Sequence, residues 1–120
     1  MDGGCYIPTS VSLDEGLREL KELDPKLHET WESTYDKSLN RDHPVNTQIL
    51  IELLENHIKG KGWTLDLPSE PGENKFWRVR IKSISIVQDN TCSCESQSKV
   101  EALLGSYLGL IKMDPKLVRE

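Results

Sequence analysis

A stripe of basic side chains in the second half of the chain is the sharpest candidate for binding chemistry. Arg78, Arg80 and Lys82 alternate with apolar residues in the segment 76–82. Strand alternation places the three cations on one sheet face, about 7 Å apart along the strand. Phe76 has the same parity and could stack on a base or ring. A solvated outer face of a half-covered sheet gives the same pattern, so both interpretations stay open.

A group of acids in the first half is the second candidate surface. Glu29, Glu32 and Asp36 lie in a segment predicted to be largely helical. Acids on such a helix usually face water. The functional interpretation is an acidic patch that docks a basic surface, including one that otherwise holds nucleic acid.

Cys92 and Cys94 are the best candidates in the sequence for a metal or thiol site. A structural zinc site needs four ligands, commonly as two pairs. The remaining candidate ligands are Cys5, His28, His43 and His57, and no two of them form a second pair in the sequence. We therefore predict free thiols in a polar loop and no bound metal, with a Cys-based metal or thiol protein as an alternative.

No constellation in the sequence predicts catalysis. His57 lies on the apolar face of a predicted helix, as a partly buried core histidine does. The sequence Gly60-Lys-Gly62 follows a helix, which is the wrong order for a loop that cradles phosphate. We therefore assign no catalytic residue and no cofactor, and we predict a protein that is not an enzyme.

The charge balance limits the classes of partner. The chain has 120 residues and a net charge of -5, and the charge is uneven. The first sixty residues hold 12 acids and 6 bases, and the last sixty hold 8 acids and 9 bases. An acidic chain is a poor general binder of nucleic acid, because phosphate contacts need positive potential. No apolar run reaches the length of a membrane span, and three cysteines without a signal peptide favour the cytoplasm.

Four helices are predicted from caps and apolar spacing. Ser12 and Glu15 form a capping-box pattern that begins the first helix. The pair Asp24-Pro25 ends that helix and begins a second, since Asp caps well and Pro is tolerated at the first helical position. The third helix spans 46–59, and a second capping box at Ser98 begins the fourth, which spans 99–112.

Two strands are predicted between the third and fourth helices. They span 63–67 and 76–82, joined by a loop rich in Pro, Gly and Glu. Ile84 and Ile86 break the alternation of the second strand, which predicts a bulge or turn near Ser83, followed by a bent strand or a short third one. The segment 88–97 is polar and is predicted to be a loop.

These elements predict an α+β fold with a small antiparallel sheet of two to three strands packed against amphipathic helices. The predicted order is α-α-α-β-β-(β)-α. Residues 1–11 are predicted to be a flexible N-terminus, and residues 12–120 a single domain. Within it we distinguish an acidic helical part, 12–44, and a sandwich-like part, 45–113.

The second half resembles the small phage "ABA sandwich" domains over residues 46–112. The similar features are the Gly62-Trp63 entry to the first strand, the Phe76-Trp77-Arg-Val segment of the second, and the closing Glu101-Ala-Leu-Leu-Gly helix. The resemblance implies a phage origin, and hence the cytoplasm of a host cell. It implies no catalytic residues.

The sequence therefore predicts a small accessory or inhibitor protein that acts by binding a macromolecular partner, with a protein as the first expectation. The binding residues we assign are Arg78, Arg80, Lys82, Phe76, Glu29, Glu32 and Asp36. An alternative is a small-ligand or nucleotide binder that uses the basic and aromatic strand face. Exposed sheet edges also favour pairing with a second copy, which predicts a homodimer.

Overall fold

The computed structural model describes residues 3–7, 12–84 and 90–118. The helices in these ranges are α1 (Leu13–Leu23), α2 (Pro25–Thr34), α3 (Pro44–Gly60) and α4 (Lys99–Met113). The strands are β1 (Gly3–Ile7), β2 (Thr64–Asp66), β3 (Trp77–Lys82) and β4 (Asn90–Ser96). A short 3-10 helix, Pro115–Val118, follows α4.

The described strands form one sheet in the order β1-β4-β3-β2. The pairs β2–β3 and β3–β4 are antiparallel, and β1 runs parallel to β4. The predicted α+β class is confirmed. The predicted antiparallel sheet is also confirmed: β2, β3 and β4 follow three helices in the chain and precede the fourth. The parallel edge strand adds to this sheet and makes it a mixed one.

The helices cover one face of the sheet. Val79 and Ile81 of β3 and Cys92 and Cys94 of β4 point to that face and are fully buried. The central covering helix is α4, whose residues from Val100 to Ile111 are almost all buried. Burying one large aliphatic side chain contributes about 1.5–3 kcal/mol, so the contact between α4 and the sheet is a major source of stability.

Two Asp-Pro pairs end helices as predicted. The Asp24 N–H donates to the Leu20 carbonyl at 2.7 Å and closes α1, while the Asp24 side chain accepts from the Leu27 N–H and begins α2. Asp114 closes α4 in the same way and accepts from the Lys116 N–H at 3.1 Å. Each aspartate therefore ends one helix and starts the next turn.

Two segments that the sequence predicts to be irregular are strands. Residues 3–7, predicted to be part of a flexible N-terminus, form β1 and pair with β4. The predicted loop 88–97 contains β4, which lies between β1 and β3. A strand with neighbours on both sides satisfies its backbone polar groups through the ladder, so small polar side chains such as Ser93 are tolerated there.

The predicted break near Ser83 is confirmed. Strand β3 ends at Lys82, and Ser83 is buried where the hairpin to β4 begins. Its N–H donates to the Asn90 carbonyl at 2.8 Å, and its hydroxyl accepts from the Asn90 N–H at 3.2 Å. Ile84 lies outside the ladder and is 59% exposed. Ile86 lies outside the described residues.

None of the helices that the structure describes is long and apolar enough to cross a membrane.

Candidate functional site

The face of the sheet that lies opposite the helices is the first candidate site. Arg78, Arg80 and Lys82 are exposed there, as the strand alternation predicted. No described helix packs on this face. The inward residues of β3, Val79 and Ile81, are 0% exposed, so the two faces of the strand differ completely in their contact with water.

Acidic and polar neighbours partly neutralise the basic stripe. The Arg78 guanidinium forms an ion pair with the carboxylate of Glu95, its partner on the neighbouring strand β4. Arg80 Nε lies 3.3 Å from Ser93 Oγ, to which it donates, and Asp66 pairs with Arg80 in the β2–β3 register. The surface therefore carries alternating charges with a basic centre, rather than continuous positive potential.

The loop between β2 and β3 borders a cavity that is open to solvent at one end of this face. The cavity has a volume of about 600 Å³, and Phe76 and Arg78 both line it. Phe76 is 38% exposed. The structure thus brings the predicted aromatic residue and one predicted cation together. Three carboxylates also line the cavity: Asp66, Glu70 and Glu95.

The three predicted acidic residues have different surroundings. Glu29 is exposed on α2. Glu32 Oε1 lies 3.5 Å from His28 Nε2 and 3.5 Å from Arg41 Nη2. Asp36 lies beyond the end of α2, where its carboxylate accepts from the Ser38 N–H and hydroxyl. These hydrogen bonds lower the pKa of Asp36. Glu32 and Asp36 therefore have partners within the chain, whereas Glu29 faces water.

A cluster of Asp24, His57 and Tyr107 is the second candidate site; Asp24 and Tyr107 are buried, His57 is partly buried, and no sequence pattern predicted that the three would meet. Tyr107 Oη donates to Asp24 Oδ2 at 2.6 Å. His57 Nε2 lies 3.1 Å from Tyr107 Oη and 3.7 Å from Asp24 Oδ2. Asp24 was predicted as a cap and His57 as a core residue. Tyr107 is 50 residues from His57 and 83 from Asp24, so only the folded chain assembles the three.

The hydrogen bonds assign the protons in this cluster. Because the Tyr107 hydroxyl donates its hydrogen bond to the carboxylate, a neutral His57 donates to that hydroxyl from Nε2 and keeps a lone pair on Nδ1. Burial is the main cause that lowers the pKa of His57, and Lys61 adds to it, while Asp24 opposes it. Burial and the neighbouring carboxylate raise the pKa of Tyr107. The cluster is therefore a chain of donors from an imidazole to a buried carboxylate.

The cysteines differ from the prediction of free thiols. Cys92 is disulfide-bonded, and its partner in the β1–β4 register is Cys5. Cys94 is a free thiol, as predicted, but it is fully buried in a strand and not in a polar loop. Burial, with the nearby carboxylates of Glu95 and Glu101, raises the pKa of the Cys94 thiol to about 11. A thiol with such a pKa is mostly protonated at neutral pH and is a poor nucleophile.

The described residues include no group of three or more His, Cys, Asp or Glu side chains that could hold a metal ion. Cys92 and Cys94 lie on the helix-covered face of the sheet, where their partners in the β3–β4 register are Ile81 and Val79.

Comparison with known families, curated proteins and solved structures gives no match to this chain. The resemblance to the phage sandwich domains therefore stays a prediction.

Proposed function

We propose that this chain is a non-enzymatic accessory or inhibitor protein that binds a partner protein on the open face of its sheet. The observation that carries the proposal is the contrast between the two sheet faces. One is buried under α4, and the other exposes Arg78, Arg80 and Lys82 in a single row. A role that depends on binding alone needs a shaped, charged surface and no reactive group.

The charge pattern favours a protein over a nucleic acid. Glu95 pairs with Arg78, and Asp66 lies next to Arg80 in the sheet register. Nucleic-acid surfaces need continuous positive potential for the phosphates, and a chain with a net charge of -5 opposes it. A protein partner can place carboxylates over Arg80 and Lys82 and basic groups over Asp66, and such complementarity gives specificity.

Nucleotide binding is the second candidate, because the cavity beside Phe76 and Arg78 has a suitable volume for a small ligand. Its lining opposes a phosphate, however, since three carboxylates face the same space as the single arginine. We therefore place the partner protein first.

Site-specific photo-cross-linking in the native host tests the proposal. A photoreactive amino acid replaces Arg80 on the sheet face, and in a matched control it replaces Gln48, which is exposed on α3. We expect a cross-linked protein at position 80 that survives nuclease treatment, and none at position 48. Mass spectrometry of the adduct identifies the partner.

Once the partner is identified, its affinity for charge-reversal variants of this chain gives a quantitative test. Lys82→Glu should weaken binding about tenfold, because a rim charge that meets an opposite charge becomes repulsive. Lys116→Glu makes the same change of charge at an exposed residue of the C-terminal turn and should leave affinity unchanged. Equal losses in both variants, or adducts that consist of nucleic acid or of a second copy of this chain, would contradict the proposal.

A further inference from the structure

The cavity beside the loop that joins β2 to β3 has a lining that suits a positively charged group. Three carboxylates line it, those of Asp66, Glu70 and Glu95, together with the guanidinium of Arg78. Glu95 is the carboxylate that pairs with Arg78. Asp66 and Glu70 are exposed, and they add negative charge beyond that ion pair. The carboxylates that oppose a phosphate in this space therefore attract a cation.

An aromatic ring lies in the same cavity as these carboxylates. Phe76 lines the cavity and is 38% exposed. The face of an aromatic ring attracts a cation that lies within about 6 Å of the ring centroid, and it does so without a charge of its own. The ring and the carboxylates are two different chemical groups, and both favour a ligand of the same charge.

Hydrogen bonds within the loop fix the backbone that carries this ring. The Gly72 N–H donates to the Phe76 carbonyl at 2.8 Å, and the Lys75 N–H donates to the Gly72 carbonyl at 3.2 Å. Asn74 and Lys75 have φ angles of 59° and 62°, the left-handed conformation that lets the chain reverse within a few residues. A loop that is already ordered loses less entropy when a ligand binds.

The arrangement suits a guanidinium group better than an ammonium group. A guanidinium is planar, so its face can stack on the Phe76 ring while the N–H groups on its edge donate to a carboxylate such as that of Glu70. An ammonium is a compact, strongly hydrated charge that cannot stack in this way. The cavity volume of about 600 Å³ also lies in the usual range of ligand sites, about 300–1,000 Å³, so an arginine side chain has room to enter.

We propose that this cavity receives an arginine side chain of the partner protein. The inference rests on the proposed function, because the cavity lies at one end of the open sheet face that binds the partner. The guanidinium stacks on Phe76 and donates to Asp66 and Glu70. Arginine is among the residues that contribute most to the affinity of protein interfaces, and a basic anchor complements a chain with a net charge of -5.

Small probes test the chemistry of the cavity without the partner. The probe is the Nα-acetyl methylamide of arginine. The corresponding citrulline compound has nearly the same shape and no charge, and the lysine compound has the charge without the planar group. NMR at constant ionic strength follows the amide resonances of Glu70, Asn74 and Phe76. We expect the arginine probe to shift them at millimolar concentration, the lysine probe to shift them less, and the citrulline probe to leave them in place.

Three variants locate the contacts of the arginine probe. Glu70→Gln should weaken binding about fivefold, which corresponds to about 1 kcal/mol for one exposed ion pair. Glu22→Gln makes the same change of charge at an exposed residue of α1 and should have no effect. Phe76→Leu keeps an apolar side chain but removes the ring, and it should weaken binding about threefold.

Photo-cross-linking from the cavity tests whether the arginine belongs to the partner. A photoreactive phenylalanine analogue replaces Phe76 in the native host, and mass spectrometry locates the cross-linked peptide. We expect the same protein that cross-links at position 80, joined through a segment that contains an arginine. Replacement of that arginine by glutamine in the partner should weaken the complex, and the loss should be smaller with Glu70→Gln than with the unaltered chain, because the two residues interact.

Four results would overturn this inference: no response to the arginine probe, equal shifts with the citrulline probe, equal weakening by Glu70→Gln and Glu22→Gln, or an adduct at position 76 in a segment without arginine. A protein adduct at position 80 would still support the proposed function in each of these cases, so the cavity alone would be wrong. A response to the arginine probe without a protein adduct at position 80 would instead contradict the proposed function, and with it the partner as the source of the arginine.

Discussion

Asp24 makes contacts with all four helices. Its backbone N–H closes α1 at Leu20, and its Oδ1 accepts from the Leu27 N–H of α2. Its Oδ2 accepts from Tyr107 of α4 and lies 3.7 Å from His57 of α3. The sequence predicts the two capping contacts, because they depend on local spacing. The other two depend on how the helices pack, and local spacing carries no information about them.

His57 makes the stability of the protein depend on pH. Burial lowers its pKa in the folded state, so the unfolded chain binds more protons below the ordinary value of about 6.5. Stability is therefore full above that value and decreases as the pH falls through it towards the lower pKa of the folded state. Urea unfolding between pH 8 and pH 5 should show a decreasing midpoint.

His28 contributes in the same direction, since burial, Lys21 and Arg41 outweigh Glu32 and lower its pKa. His57→Gln and His28→Gln should each remove part of this decrease, and the double variant should remove most of it. A slope that is unchanged in the double variant would show that other groups cause the pH dependence.

The start of α4 shows how a correct helix prediction can rest on a different set of hydrogen bonds. The predicted capping box requires Ser98 Oγ to accept from the Glu101 N–H, which it does at 3.5 Å. Glu101 does not return the bond to Ser98. Its carboxylate instead accepts from the Leu13 N–H at the start of α1 and from the Ser96 hydroxyl. Glu101 thus joins α4 to α1 and to the end of β4.

Removal of the cap at Ser98 should destabilise α4. Ser98→Ala leaves the Glu101 N–H without its acceptor and should lower the free energy of unfolding by about 1 kcal/mol, the usual value for a lost N-cap. Ser33→Ala is the matched control, because its hydroxyl lies exposed near the end of α2 and donates to the Thr30 carbonyl of the same helix. Urea denaturation measures the free energy of unfolding of both variants. Equal decreases in the two would mean that the Ser98 cap does not stabilise α4 more than an ordinary exposed hydroxyl does.

The strands show where sequence patterns stop being informative. Strand β3 was predicted because apolar residues such as Val79 alternate with cations. Strand β4 has a much weaker pattern: Cys92 and Cys94 alternate with polar residues, but the segment contains no large apolar side chain. It is a strand because β1 and β3 flank it and α4 covers its inner face. For the same reason the stripe of cations could be predicted, whereas Glu95 of β4, which pairs with Arg78, could not.

At the scale of the whole molecule, the acidic helical part and the sandwich-like part share one core. The apolar core includes Leu13 of α1 and Trp31 of α2, and it continues to Ile81 of β3 and Leu110 of α4. The predicted division at residue 44 therefore separates two segments of sequence that contribute side chains to the same apolar interior.

A shared core predicts that both parts unfold together. In a Trp63→Phe/Trp77→Phe variant, fluorescence reports only on Trp31, which is fully buried in the helical part. Alkylation of Cys94, buried in β4, reports on the sheet in the same sample without reductant. Because a single core makes unfolding cooperative in a small domain, we expect the two urea transitions to have the same midpoint and slope. Loss of Trp31 fluorescence at lower urea than Cys94 labelling would instead mean that α1 and α2 form a separate unit, and that their packing on α4 adds little to the stability of the sheet.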